Sequence, residues 1–513
     1  MLLIHPPVSI PCEPPPGLAR LAGILEQAGA AYRIVDANLE GILFLLRKGI
    51  PGALDTWTKR ARNHREEHLI RLRSRTACIN FDAYKRSVVD LNRLLARPAA
   101  SRGFRLTFTD FEDPHLSPLR STDLIEAAER PENNPFYPYF QERLPALLKA
   151  MAPSLVGFSL NYLSQALCTF AMIGCLRKID SRLPIVLGGG LVTSWMSRPG
   201  WQDPFSGLVH HLVAGPGEAP LLALCGRSVP EGEHGPAYGH FPLGEYLSPG
   251  PVLPYSGSRG CWWRRCAFCP ERAERNPYQP LRPDTTLSEI RELTAQTAPA
   301  LIHFTDNALS PALLEALAQE PPPAPWYGFA RITRHLLDAG FCASLKRAGC
   351  TMLKLGVESG DQQVLDDLRK GIKIADAAVV LKNLQGAGIA SYVYLLFGTP
   401  PESYTEARRT LDFTIAQADR IDFLNIAIFN LPAQSPERAS LDTDPFYEGD
   451  LGLYRNFRHP RGWNRRMVRS FLEREFKTHP AIARILRRDP PYFSSNHAPF
   501  FAGRLNLPAL GRP

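Results

Sequence analysis

Residues 258–270 read SRGCWWRRCAFCP, and the three cysteines among them, Cys261, Cys266 and Cys269, stand in C-x4-C-x2-C spacing. Three thiolates on one short loop supply one face of an iron–sulfur cluster, or three of the four positions around a structural zinc. The loop brings no fourth ligand of its own; the nearest histidines along the chain, His240 and His303, lie outside it. A zinc tetrahedron is left incomplete, whereas a cluster with one iron open to a ligand suits three cysteines. Three plain structural thiols is the weaker reading, because a loop with three arginines is poor core material.

Outward from that loop, apolar runs and helical periodicities alternate from 253 to 432. Strand-like pieces stand at VLPYSGS, LIHFTDN (301–307), WYGFARI (326–332), TMLKLGVES (351–359), ASYVYLLFG (390–398) and IDFLNIAIF (421–429), with helical stretches near 284–298, 311–319, 335–348, 361–387 and 403–418. About six βα units in succession predict a parallel sheet closed or partly closed into a (β/α)6 barrel. Chemistry in such barrels sits at the C-terminal ends of the strands, and the cysteine loop follows the first of them.

This pattern resembles the radical S-adenosylmethionine (radical SAM) enzymes, more closely the branch with an N-terminal cobalamin-binding-like domain. The resemblance implies a [4Fe-4S] cluster on Cys261, Cys266 and Cys269, with S-adenosylmethionine on its open iron. Phe268 matches the aromatic before the last cysteine, although the first gap is one residue longer than the usual C-x3-C-x2-C. FTDN then offers Thr305, Asp306 and Asn307 toward the methionyl amino group. FARI offers Arg331 for a carboxylate. Glu358 and Ser359 stand where the family meets the ribose and methionyl part, and Gly398 where the backbone passes the adenine. Taken singly, Asp306, Arg331 and Glu358 are equally well read as ordinary strand-end ion pairs.

The N-terminal half has its own βαβ rhythm: MLLIHPP, a helical stretch with Leu18, Leu21, Ala22 and Leu25, then AYRIVDAN, followed later by SLVGFSLNY, PIVLGGG and HHLVAGPGEAPLLAL. It predicts a doubly wound, Rossmann-like α/β domain over 1–225, with a helical insertion at about 42–140, a Gly- and Pro-dense linker at 226–252, the barrel at 253–432 and a tail at 433–513. By resemblance Gly188, Gly189 and Gly190 admit a large flat cofactor, although tight strand-to-helix turns use the same residues. The D-x-H-x-x-G motif of cobalamin domains is absent: DANLEG (36–41) has Asn38 in the histidine's place, so bound cobalamin lacks that lower ligand. Cys12 and Cys78 have no third partner, which argues against a second-cluster methylthiotransferase.

The 513 residues carry 59 Lys and Arg against 50 Asp and Glu, a net charge of +9. Residues 455–488 alone hold eleven bases against Glu473 and Glu475. Met467, Val468, Phe471, Leu472 and Phe476 suggest an amphipathic helix docked with its arginines outward, a solvated basic face rather than a nucleic-acid site. DPPYFSSNHAPF (489–500) resembles a tail of this branch, and its His497 reads as a surface or packing residue. No run of about 18 apolar residues argues for a spanning helix, and the opening is too short for a secretory signal, so a cytoplasmic setting without membrane contact is expected. The combined expectation is a radical SAM enzyme, with cobalamin a methyltransferase and without it a catalyst of rearrangement, cyclisation or oxidation. It acts on a small molecule or peptide, reduced by an external donor of flavodoxin or ferredoxin type. The rivals are a zinc module whose basic tail binds nucleic acid, and a cobalamin carrier with an inactive barrel.

Overall fold

A computed structural model of the protein describes residues 1–48, 54–75, 80–100, 103–232, 234–445 and 449–491. Cys78 and His497 lie outside these described residues, as does most of the 489–500 segment. The chain divides into two units, one of residues 1–251 with a return segment at 447–453, the other of residues 252–446 and 454 onward.

In the first unit, short apolar runs form β1 (Leu2–His5), β2 (Arg33–Asp36), β3 (Val156–Ser159), β4 (Ile185–Gly188) and β5 (His211–Val213). All pairings are parallel and the order is β2-β1-β3-β4-β5, a doubly wound sheet whose strand order reverses between β1 and β3. Helix Pro16–Gln27 opens on a proline in its first turn and stops before Gly29, whose φ of 62° a glycine takes without steric cost. Helix Leu163–Ile179 is buried from Gln165 to Leu176, as a helix apolar all round must be. Between β2 and β3 the chain is mainly helical, with one small antiparallel pair at 105–106 and 111–112.

The stretch 226–252, expected as a linker, packs instead as part of this unit. Tyr238, Phe241, Tyr246 and Leu247 are buried, and the Ala237 N–H donates to the Ala19 carbonyl at 2.8 Å. Gly23 of the helix Pro16–Gln27 lets the strap come close: a Cβ there would fall 1.9 Å from the Gly235 carbonyl oxygen. Aromatic anchors in a Gly- and Pro-rich segment mark a packed strap, and composition alone hid them.

In the second unit β6 (Val252–Tyr255), β7 (Leu301–Phe304), β8 (Trp326–Ala330), β9 (Cys350–Glu358), β10 (Ala390–Phe397) and β11 (Phe423–Ile428) pair in parallel and in sequence order, with β6 and β11 as the edges. Val252, Leu301, Tyr327, Met352, Tyr392 and Phe423 fill the core. The helix expected over 361–387 is two helices, Gln362–Asp367 and Ile374–Ala387. Arg369 and Gly371 break it with φ of 53° and 69°, outside the right-handed helical region. The expected tail helix runs from Arg465 to Phe471 and continues as a π-helical turn over Leu472–Phe476. Val468, Phe471, Leu472 and Phe476 are buried as expected, but Met467 is exposed. Phe471 and Phe476 meet Phe397 at the end of β10, with ring centroids 6.1 and 5.2 Å away.

Candidate active site

The cysteine loop leaves β6 and is fastened to the C-terminal ends of the next three strands. Asp306, just past β7, is buried; its Oδ2 accepts the Gly257 N–H at 3.0 Å and its Oδ1 the Ser258 hydroxyl at 2.5 Å. Burial pushes its pKa up, against those two hydrogen bonds. Trp262 Nε1 donates to the Leu309 carbonyl at 3.3 Å, Trp263 Nε1 to the Arg369 carbonyl at 3.1 Å, and the Ala267 N–H to the Leu368 carbonyl at 2.9 Å.

Arg331, one residue beyond β8, is buried beside the loop. Its Nη1 lies 3.7 Å from Cys266 Sγ, its Nη2 donates to the Lys370 carbonyl, and its guanidinium sits over the rings of Trp263 and Trp262 at 4.4 and 5.6 Å. Lys370 pairs with Glu358 at 2.7 Å and lies 5.5 Å from the Phe268 ring. Glu358 ends β9 with φ of 68°, where a bulky residue is strained, and the β9–β10 register shifts at the same place. Arg331, Lys370 and Glu358 thus form one chain of contacts ending on the cysteine loop. A cavity of about 840 Å3 opens beside it, lined by Trp262, Trp263, Arg331, Gly371, Ile372 and Ile374 among others.

Cys266 is buried, while Cys261 and Cys269 are half-buried. Burial pushes the Cys269 thiol up to about 11, against backbone N–H groups of Arg272 and Glu271 and with Cys266 adding to the rise. Among the described residues, no three Cys, His, Asp or Glu side chains are gathered into a closed metal nest. The donor set nonetheless suits a cluster that three cysteines hold: three thiols on one fastened loop, with the Arg331 cation beside one of them to offset thiolate charge. It suits zinc less well. His303 stacks on Tyr327 at 4.4 Å and meets Lys354 Nζ at 3.1 Å, and His240 pairs with Glu26 in the other unit.

Other expected residues stand apart from this chain of contacts. Thr305 Oγ1 donates to the Tyr255 carbonyl at 3.1 Å and Asn307 is exposed. Ser359 Oγ is spent internally, 3.2 Å from Thr410 Oγ1 and accepting the Asp361 N–H at 3.1 Å. Gly398 has φ of 75°, and a Cβ there would come within 3.2 Å of Val468. The expectation passed over Lys370 and the tryptophan pair: a lysine twelve residues past a strand end carries no motif, and its partner at the strand end was the signal available.

In the first unit the strand ends at 159–161 and 188–190 carry no charged side chain. Gly189 has φ of 112° and a Cβ would fall 2.3 Å from the Leu160 carbonyl oxygen, so it serves close packing. Gly190 is exposed, and its N–H donates to Asn161 Oδ1 at 3.0 Å. Asn38 clamps the loop after β1, accepting the Ser9 N–H and donating to the Ser9 carbonyl, both at 2.9 Å. Asp36 caps the following helix at Leu39 and accepts the Tyr246 hydroxyl at 2.7 Å.

A parallel sheet in sequence order, with a three-cysteine loop bolted across its strand ends, is the architecture of a radical enzyme domain, and residues 255–414 match the Radical SAM superfamily. The second unit of the chain thus carries a radical SAM domain. No curated protein matches it. Among solved structures it is similar to the radical S-adenosylmethionine methyltransferase TsrM from Kitasatospora setae with cobalamin and a [4Fe-4S] cluster bound, at 17% identity, 89% of this chain, 86% of that one and a TM-score of 0.50. The same enzyme with tryptophan substrate and the SAM analog aza-SAM matches at 17% identity, 89% and 84% coverage and a TM-score of 0.50. The likeness extends the shared fold over both units. No helix among the described residues is long and apolar enough to cross a membrane.

Proposed function

We propose that this chain is a cobalamin-dependent radical SAM methyltransferase acting on a small molecule or peptide. The observation that carries the reading is the chain of contacts from the cysteine loop through Arg331 and Lys370 to Glu358. Likeness to a cobalamin-binding methyltransferase over both units adds support for the cofactor pair. Cys261, Cys266 and Cys269 would hold the cluster, and Glu358 and Gly398 would flank S-adenosylmethionine. The crevice at the strand-order reversal, between the ends of β1 and β3 and beside Gly190, would hold cobalamin. Bound together, these groups supply reductive cleavage of a sulfonium and transfer of its methyl group.

The protein's own part is placement and charge. Arg331 sets a fixed cation beside Cys266, against the negative charge a bound cluster would bring to the loop. Asp306 fixes the base of the loop through two hydrogen bonds to residues 257 and 258, and the indoles of Trp262 and Trp263 hold its crown. The Trp262 and Trp263 rings also shield Arg331 from solvent, which strengthens its electrostatic effect. On the cobalamin side, Asn38 and Asp36 are committed to the loop and helix next to them, so neither is free to serve as a lower ligand.

The test is anaerobic reconstitution with iron and sulfide, then addition of cobalamin, S-adenosylmethionine and a reduced flavodoxin or ferredoxin. About four irons per chain and uptake of cobalamin are expected, with S-adenosylhomocysteine as the mark of methyl transfer. Release of 5′-deoxyadenosine without cobalamin uptake would move the reading to hydrogen abstraction, and one bound zinc with no colour would end it.

A further inference from the structure

The cavity of about 840 Å3 beside the cysteine loop is walled by the half-buried indoles of Trp262 and Trp263 and by Ile372 and Ile374, with buried Arg331 in its lining. Its form depends on the break between the two helices that follow β9. Gly371 has φ of 69°, and a Cβ there would fall 2.0 Å from the Trp263 ring, so only glycine lets the indole lie against this turn. The bond from Trp263 Nε1 to the Arg369 carbonyl holds it there. The same indole has the Arg331 guanidinium 4.4 Å from its ring, and Arg331 Nη1 is 3.7 Å from Cys266 Sγ. Two contacts therefore lead from a half-exposed ring to a cysteine of the loop.

Exposed bases surround this aromatic centre. Arg264 and Arg265 follow Trp263 in the loop, Arg369 stands in the turn, and Arg334 and Lys373 line the cavity; all five are exposed. Arg265 sits over the Trp263 ring at 5.1 Å. Among the described residues none of the five pairs with a carboxylate, whereas Arg272, Arg409 and Arg461 of the same unit each do. Asp366, Asp367 and Asp376 share the stretch, and the first two accept from Gln362 and Gln363 at 2.9 Å, so the bases stay in excess. Unpaired charges of one sign sum to a field that steers an oppositely charged partner. Tryptophan inside a ring of arginine and lysine is the make-up of a contact centre with a polar rim. Reductive cleavage of a sulfonium takes its electron from outside, and here charge, aromatic surface and the cysteine loop coincide.

We propose that this face is the docking surface for a reduced, acidic flavodoxin-type protein, with Trp262 and Trp263 at its centre and the five exposed bases as its rim. This rests on the reading of Cys261, Cys266 and Cys269 as cluster ligands. One electron leaves the donor's reduced flavin and lowers the cluster charge by one; no bond forms or breaks, and the flavin is left one electron more oxidised. Shape argues for a flavin: a flat apolar ring edge rimmed by carboxylates suits a groove walled by indoles and ringed by bases. Electron-transfer encounters are small and weak, so the rim charges govern the rate of docking more than its strength.

The experiment uses the full chain reconstituted with iron and sulfide and follows bleaching of the cluster absorption in anaerobic stopped flow. The reductant is either a purified bacterial flavodoxin, fully reduced, or dithionite, which needs no docking surface. Arg334→Glu combined with Lys373→Glu should slow reduction by flavodoxin about tenfold at low salt, with iron content and the dithionite rate held within about twofold. Asp366→Asn removes a negative charge and should quicken reduction by flavodoxin about twofold, a gain that misfolding does not produce. Raising salt from about 50 to about 300 mM should slow the wild type several-fold and the double variant little.

An unchanged flavodoxin rate in the double variant would overturn the proposal. Equal slowing with both reductants would do the same, since the charges then act on the cluster and not on a partner. So would a change confined to KM for a peptide substrate, which makes the face a substrate site, or a charge dependence shown by reduced ferredoxin and not by flavodoxin. If the wild type assembles no cluster, the reading of the cysteine loop fails instead. Binding of dye-labelled flavodoxin to the cluster-free chain, read by fluorescence anisotropy, then still decides the surface: weaker binding by the double variant supports it, and equal binding overturns it.

Discussion

The two parallel sheets end in opposite ways. The edge of the first, at 159–161 and 188–190, is glycine, serine, asparagine and a buried leucine, with polar groups engaged in short local hydrogen bonds. The edge of the second is charged and aromatic: Asp306, Arg331, Glu358 and Lys370 are all largely buried and each touches the cysteine loop or a residue that does. The same strand geometry has been put to two uses, a smooth neutral shelf suited to a broad ligand and a tight ionic collar around a reactive loop. Buried ions cost desolvation unless paired, so the collar is where single substitutions should do most damage.

Cys266→Ser gives the largest expected effect. It should reduce iron to a small fraction of wild type on reconstitution, read by iron and sulfide analysis, and full retention would remove the loop from cluster binding. Lys370→Met comes next. It leaves the Glu358 carboxylate with its lysine gone in a nearly buried place, and should cost about 3 kcal/mol in denaturant unfolding; a cost under about 1 kcal/mol would show that water reaches the pair freely. Arg331→Lys should cost about 2 kcal/mol and lower cluster loading, because an ammonium cannot reach Cys266 and the Lys370 carbonyl together while stacking on Trp263. If Arg331→Lys were silent, the collar's effect would be charge alone and not the shape of the guanidinium.

The two edges also differed in how well they could be read beforehand. The cysteine spacing and the βα alternation were visible in sequence because thiol density and hydrophobic period are local properties. The collar was half visible: Arg331 and Glu358 stand at strand ends, but Lys370 reaches Glu358 only because the chain breaks at Arg369 and Gly371. Ser359 sits in a matching string and yet spends its hydroxyl on Thr410 and Asp361, which no string reveals. The strap at 226–252 misled for the opposite reason, since proline and glycine dominate its composition while four buried aromatic and aliphatic side chains decide its place. Position in the chain showed which residues reach the edge, and only packing shows which of them remain available there.

The smallest expected effect separates two adjacent glycines on the neutral shelf. Gly189→Ala cannot be used to probe cofactor binding, because its left-handed φ and the Leu160 carbonyl 2.3 Å from any Cβ make the variant unstable for reasons internal to the fold. Gly190 is the clean probe: it opens the helix Gly190–Met196, and its nearest neighbour to a Cβ is Asn161 Oδ1 at an ordinary 3.7 Å. Gly190→Ala should leave stability within about 0.5 kcal/mol, since alanine suits a helix better than glycine does. If the shelf carries cobalamin, the added methyl stands in the cofactor's path, and uptake measured by absorption titration should weaken about threefold. Unchanged uptake would assign the whole triplet to the strand-to-helix turn and leave the neutral edge without a part in holding the cofactor.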